Sequence, residues 1–194
     1  MTKESTHGAS ATRLQDAHDG TQEDILSATS NPYLRILTTL IVPACRGGAK
    51  ADLSHAQKVF PGLVDSFFRS RDLCGPQPPT EETEVEVHEM YNKDGCFKTL
   101  FGSLSNTLDD LIFESHEQVT IFVQKHHEWL LDEPQGTFFL FRRKVRGKKK
   151  YYVAGVGSNS VGFDVHGSDF SRTFTWKAER AYRFVVPVRK QVTS

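Results

Sequence analysis

Thr137-Phe138-Phe139-Leu140-Phe141-Arg142-Arg143-Lys144-Val145-Arg146-Gly147-Lys148-Lys149-Lys150-Tyr151-Tyr152-Val153-Ala154-Gly155-Val156 decides how the rest of the chain reads. β-Branched and aromatic residues crowd both ends, and Gly147 interrupts the run where a turn is needed. The stretch predicts a hairpin, strand Thr137–Arg143 returning as strand Lys149–Val156. Three further period-two segments follow, Ser160–His166, Arg172–Lys177 and Ala181–Val188, separated by Gly-, Ser- and Asn-containing turns. The glycine-rich run Gly155–Gly162 lacks the Gly-Lys-Ser/Thr ending of a phosphate loop and leads into a strand, so it reads as a turn. A twisted antiparallel meander covered by the preceding helices is expected.

Upstream, the pattern changes to a helical period. Ser115-His116-Glu117-Gln118 matches a capping box, opening a helix to about Leu131 that buries Val119, Phe122, Val123 and Leu130. Ala56, Val59, Phe60, Leu63, Val64, Phe67 and Phe68 keep helical phase, with Pro61 as a kink or second start. Asn31-Pro32 suits a helix start, and Tyr33, Ile36, Leu37 and Leu40 follow at helical spacing until Pro43. Glu84–Tyr91 and Cys96–Phe101, around Asn92-Lys93-Asp94-Gly95, predict a hairpin. The rival is one helical stripe through Phe97, Leu100, Phe101, Leu104, Leu108, Leu111 and Ile112. The expected fold class is therefore α+β: a helical N-terminal portion, then a helix and a mainly antiparallel sheet of five to seven strands. Residues 1–30, poor in apolar groups, are expected to be a flexible tail. Residues 31–194 then form a single α+β domain, with a subdomain seam at 75–80 in Gly75-Pro76-Gln77-Pro78-Pro79.

The 194 residues are 38% apolar and 25% charged, which excludes a collagen-like or mostly disordered chain. No apolar run approaches the roughly 18–20 residues needed to cross a bilayer. Met1–Thr6 lacks the apolar core of a signal peptide. Cys45, Cys74 and Cys96 are an odd number without metal-ligand spacing, arguing against a disulfide framework or a structural zinc site. A cytoplasmic protein with no membrane contact, no cofactor and no metal is expected. Net charge is zero, yet residues 1–135 hold 11 Lys/Arg against 21 Asp/Glu and residues 136–194 hold 13 against 3, giving −10 and +10.

Residues 142–150 contain seven basic side chains in nine, flanked by Phe138, Phe139, Phe141, Tyr151 and Tyr152. Cations that release phosphate counterions beside rings that stack bases are the requirements for binding single-stranded nucleic acid. The leading expectation is a non-catalytic binding protein that engages nucleic acid or another polyanion through Arg142, Arg143, Lys144, Arg146, Lys148, Lys149, Lys150 and Tyr152. The bland alternative makes the aromatics the inward face of the sheet and the cations a solvated tip. A second class is an accessory module whose basic sheet docks an acidic protein surface, its own acidic portion, or a second copy in a homodimer. A third is a small hydrolase or nuclease using Asp164 and His166, which share one strand face at i, i+2 with Asp169 close by. One strand alone supplies too few ligands for a metal. His126, His127 and Glu128 suit the C-terminal end of a helix through the dipole, and His116-Glu117 lacks a second histidine at 120 for a zincin motif.

Pro134-Gln135-Gly136-Thr137-Phe138-Phe139-Leu140-Phe141-Arg142, preceded by a helix and followed by Lys149–Val156, resembles the G-T-F-L-V-R opening of an SH2 phosphotyrosine module. The resemblance implies a phosphopeptide partner and casts Arg142 as the phosphate-coordinating arginine, using bidentate guanidinium geometry. The chain departs from that pattern at Phe163-Asp164, where the family usually has a His-Tyr pair, and at the C-terminus, which reads as strands where a second helix is expected.

Overall fold

Phe138, Phe139, Leu140 and Phe141 are all buried, which a strand allows only where both of its faces are covered. The computed structural model describes residues 31–188, so the tail expected at 1–30 lies outside the described residues. Its elements are β1 (Leu34–Val42), β2 (Leu63–Val64), β3 (Thr83–Met90), α1 (Phe97–Gly102), β4 (Ile112–Phe113), α2 (His116–Lys125), β5 (Thr137–Val145), β6 (Lys148–Asn159), β7 (Gly162–Asp169) and β8 (Arg183–Pro187). The strands form one eight-stranded sheet in the order β1-β3-β8-β5-β6-β7-β2, with β4 paired to β5 off that path.

Two apolar layers sandwich the sheet. On one face Val85, Val87, Phe139, Phe141, Ala154, Val165 and Val185 pack beneath Val119, Phe122 and Val123 of α2 and beneath Leu53, Phe60 and Phe68 of the loops. On the other, Leu34, Met90, Phe138, Leu140, Val153 and Phe184 meet Phe97, Leu100 and Phe101 of α1.

The expected helical N-terminal portion is not there. β1 occupies the segment expected as a helix from Asn31, and it pairs antiparallel with β3. Ile36, Thr38, Thr39, Ile41 and Val42 are β-branched, which favours a strand. A register shift between Ile36 and Thr38 interrupts the alternation. Across that irregularity Leu37 and Leu40 share the first apolar layer at a spacing of three, imitating a helix, while Leu34 packs in the second. The segment from Ala56 to Phe68 also fails as a helix. It forms short 3₁₀ turns at Leu53–His55 and Ser66–Arg69 with β2 between them. Pro61-Gly62 breaks the chain, and the Asp65 carboxylate accepts the Phe67 N–H at 2.8 Å, competing with helical hydrogen bonds.

The sheet is also not the expected mainly antiparallel one of five to seven strands. It is mixed: β8 runs parallel to β5 and antiparallel to β3, and β2 and β4 run parallel to β7 and β5. The meander holds for β5, β6 and β7. Arg172–Lys177 is not a strand and contributes one bridge, Gly95 to Trp176. The hairpin expected across Asn92–Gly95 is instead β3 followed by α1, because Phe97, Leu100 and Phe101 find a common apolar wall in Phe138 and Phe184. The capping box at Ser115 and Gln118 forms, although the helix ends at Lys125 and a 3₁₀ turn follows at His127–Trp129. Residues 75–80 lie against 45–48 through the bridges Cys45–Thr80 and Gly48–Gln77.

Candidate ligand-binding site

Opposite Asp164 and His166 on β7 stand Gly157 and Gly155 of β6. With no side chains there, the sheet is left hollow, and a cavity of about 430 Å³ opens over it. Two chemically different sets line this cavity. The first is aromatic: Phe97, Phe138, Trp176 and Tyr182, with the Phe138 ring 4.7 Å from that of Trp176 and 5.7 Å from that of Tyr182. The Trp176 indole N–H is shielded from solvent and has no hydrogen-bond partner among the described residues.

The second set is Glu133, Asp164 and His166, whose ligand atoms all lie within 4.8 Å of one another. Alternation along β7 turns Asp164 and His166 to one face while Val165 enters the core on the other. Glu133 arrives from the segment before β5, which the Glu133 N–H ties to the Ser158 carbonyl at 2.9 Å. A Cβ added at Gly157 would meet Asp164 Oδ1 at 3.2 Å and Glu133 Cγ at 3.3 Å, so the glycine makes room for both carboxylates. A Cβ at Gly155 would meet the Phe138 ring at 3.1 Å. The polar and aromatic sets thus sit two residues apart along one strand, about 7 Å.

Asp164 is only 3% exposed. Asn159 Nδ2 donates to its Oδ2 at 3.2 Å and His166 Nε2 lies 3.4 Å from the same oxygen. Asp164 Oδ1 has no fixed N–H or O–H donor among the described residues, and the neighbouring Glu133 carboxyl is the group that can share a proton with it. A hydrogen bond shared with Asp164, and the repulsion of its charge, hold Glu133 above the usual carboxylate range. His166 Nδ1 faces Asp65 Oδ2 at 3.8 Å. The His166 imidazole thus lies between two carboxylates, Asp164 on its Nε2 side and Asp65 on its Nδ1 side.

Of the residues expected to bind a polyanion, Arg142 lies 2.9 Å and Lys149 3.1 Å from Asp109 Oδ2. Asp109 also accepts the Tyr151 hydroxyl at 2.8 Å. Arg143 lies over the Phe67 ring at 5.3 Å and near that of Tyr152, and its Nε has no hydrogen-bond partner among the described residues. Lys144, Arg146, Lys148 and Lys150 are exposed around the two-residue turn Arg146-Gly147. Tyr152 is not available to stack a base: it is 2% exposed, with its hydroxyl on His116 Nε2. Phe138 is equally enclosed because the second apolar layer covers the face it points to.

Asp169 holds a turn by accepting the Ser171 N–H at 3.0 Å, and it is not among the three clustered groups. His126 reaches the edge of β1, where its Nε2–H donates to the Ile41 carbonyl at 2.9 Å. His127 and Glu128 are exposed. The three cysteines are free. Glu133 had no sequence motif to mark it. The usable signal was Gly155-x-Gly157, a two-glycine gap in one strand ahead of Asp164-x-His166 in the next.

No family model matches the chain, and neither a curated protein nor a solved structure matches it significantly. The second helix that the SH2 resemblance implies is replaced by strand β8 at Arg183–Pro187, and Arg142 is engaged by Asp109. No helix among the described residues is long and apolar enough to cross a membrane.

Proposed function

We propose that the chain binds a small organic molecule in this cavity, a flat apolar body against the aromatic wall and a polar head at Glu133, Asp164 and His166. One observation carries the reading. A single hollow of about 430 Å³ joins four aromatic side chains to a nearly buried carboxylate, one oxygen of which has no fixed donor among the described residues. Cavities of roughly 300–1,000 Å³ with apolar walls and a few converging polar groups are the usual form of a small-molecule site. The unpartnered Trp176 N–H adds a donor for a ligand acceptor.

The chain has two tryptophans, so the indole N–H resonances report on the site with an internal control. On titration with indole and 2-naphthol as probes, the Trp176 resonance is expected to shift and saturate while that of Trp129 stays in place. Gly157→Val, which crowds Asp164 and Glu133, is expected to weaken binding. An unmoved Trp176 resonance with every probe, in a folded protein, overturns the reading.

A second reading keeps the polyanion partner, because Lys144, Arg146, Lys148 and Lys150 remain exposed at the β5–β6 tip. With the neighbouring rings enclosed, that contact would be to phosphates or other anions alone, without base stacking. It uses a different surface from the cavity, and the two readings are independent.

A further inference from the structure

We propose that Glu133, Asp164 and His166 hold a divalent transition-metal cation whose remaining coordination positions face the cavity. The proposal deepens the pocket reading on which it rests, since those positions would anchor the ligand's polar head.

The donor set comes first. Two carboxylates and one imidazole present ligand atoms within 4.8 Å of one another. Donors on a single ion stand at most about 4.4 Å apart, twice a metal–oxygen bond of about 2.2 Å. Glu133 is exposed and its side chain can rotate the short remaining distance.

Asp164 is the independent sign that something positive belongs here. Its carboxylate is 3% exposed, and Oδ1, which faces Glu133 across Gly157, has no fixed donor among the described residues, only a proton it can share with that second carboxyl, the place a cation would take. A buried carboxylate needs a partner of opposite charge. Its ion-pair partner among the described residues is the half-exposed His166, which Asp65 also faces. Three carboxylates thus surround one imidazole.

The surroundings are those a metal ligand requires. A metal-bound histidine presents its second ring nitrogen to a carboxylate, which fixes its orientation, and a ligating carboxylate is itself hydrogen-bonded. With His166 Nε2 toward the cluster, Nδ1 faces Asp65 Oδ2 at 3.8 Å. The other Asp65 oxygen is committed to the Phe67 N–H, so the carboxylate is held in place. Asn159 Nδ2 steadies Asp164, and the Asn159 Oδ1 is pinned by the Val161 N–H at 2.8 Å.

The same donors select the kind of ion. Calcium takes six to eight oxygens and magnesium keeps most of its waters, whereas an imidazole with carboxylates suits zinc, manganese or iron(II). Three protein ligands leave coordination positions open.

Chelator-stripped protein titrated calorimetrically with ZnCl₂ and with MnCl₂ tests the proposal. One-to-one binding of at least one of them is expected. D164N and H166A should each weaken it by more than tenfold, and D65N by about tenfold as an orienting residue. E133Q, at an exposed position, keeps the test valid if the buried Asp164 variant does not fold. Absence of binding by either metal to folded protein overturns the proposal, as does binding that all of these variants leave unchanged. The indole and naphthol titrations are repeated in chelator. Probes that bind while neither metal does leave the pocket and remove the cation. A metal that binds one-to-one, and is lost in the variants while Trp176 ignores every probe, keeps the cation and removes the organic ligand.

Discussion

His116 shows what one buried side chain contributes and why its role was not readable locally. It is the first residue of α2 and 3% exposed. Its ring lies against Phe141 at 4.9 Å and Phe68 at 5.7 Å, its Nδ1 accepts the Leu53 N–H, and its Nε2 meets the Tyr152 hydroxyl. Burial pushes its pKa down to about 4, only partly offset by the charge of Asp52. The unfolded chain, with an ordinary histidine, therefore binds the extra proton first. This contribution is complete above the ordinary value of about 6.5 and is lost as pH falls toward about 4. Urea denaturation is expected to show about 2 kcal/mol less stability at pH 5 than at pH 7 from this group. His88, also lowered by burial, adds in the same direction. H116Q should be less stable at pH 7 and should lose most of its own share of the slope. A His116 ring resonance titrating near 6.5 in wild-type protein would contradict the account even if H116Q does not fold. The capping box around this histidine was legible because its partners lie within four residues. The Tyr152 contact spans 36 positions, and no local pattern announces it.

At the scale of elements, legibility followed how local the determinants were. The β5–β6 hairpin was readable because its turn, Arg146-Gly147, requires positive φ at both residues and has φ of 49° and 74°. β1 was not, because one irregularity in its pairing replaced a spacing of two with a spacing of three. The coverage of both faces of β5 was equally hidden, since it depends on α1, 40 residues earlier in sequence. Asp109 is the element-scale lock. It receives the Tyr151 hydroxyl, Lys149 and Arg142 together, and these hydrogen bonds pull its carboxyl down to about 2. Because the folded value lies below the ordinary one, the lock holds above about pH 4 and is lost as pH falls toward about 2. At this half-buried site D109N is expected to cost roughly 1 kcal/mol, or about 2–4 °C in Tm, shrinking in high salt. Hydrogen exchange should quicken in residues 142–151 and not in 137–141. Uniform acceleration across the sheet would show that Asp109 is not a local lock.

At the scale of the molecule, the division between an acidic −10 and a basic +10 portion is a feature of the chain order and not of the fold. β3 from the first portion lies beside β8 from the second, and β4 beside β5. Arg142 and Lys149 on Asp109, and Lys177 on Asp94, are ion pairs between the two portions. Part of the basic excess is therefore complemented internally. What projects is the tip, Lys144, Arg146, Lys148 and Lys150. If these four cations contact a polyanion, oligo-dT is the simplest probe. Its log affinity should fall with log salt with a slope of about −3, from four contacts at about 0.7 each. Replacing the four by Ala should flatten that slope to near zero, with the Trp176 response to indole retained. R142A and K149A should change it little, because Asp109 already holds those side chains. D109N should release them and steepen the slope by up to about 1.4, two contacts at about 0.7 each. Lack of binding at low salt, or a slope that survives loss of the four tip cations, would leave the cavity as the working part of the molecule and the basic tip as its solvated end.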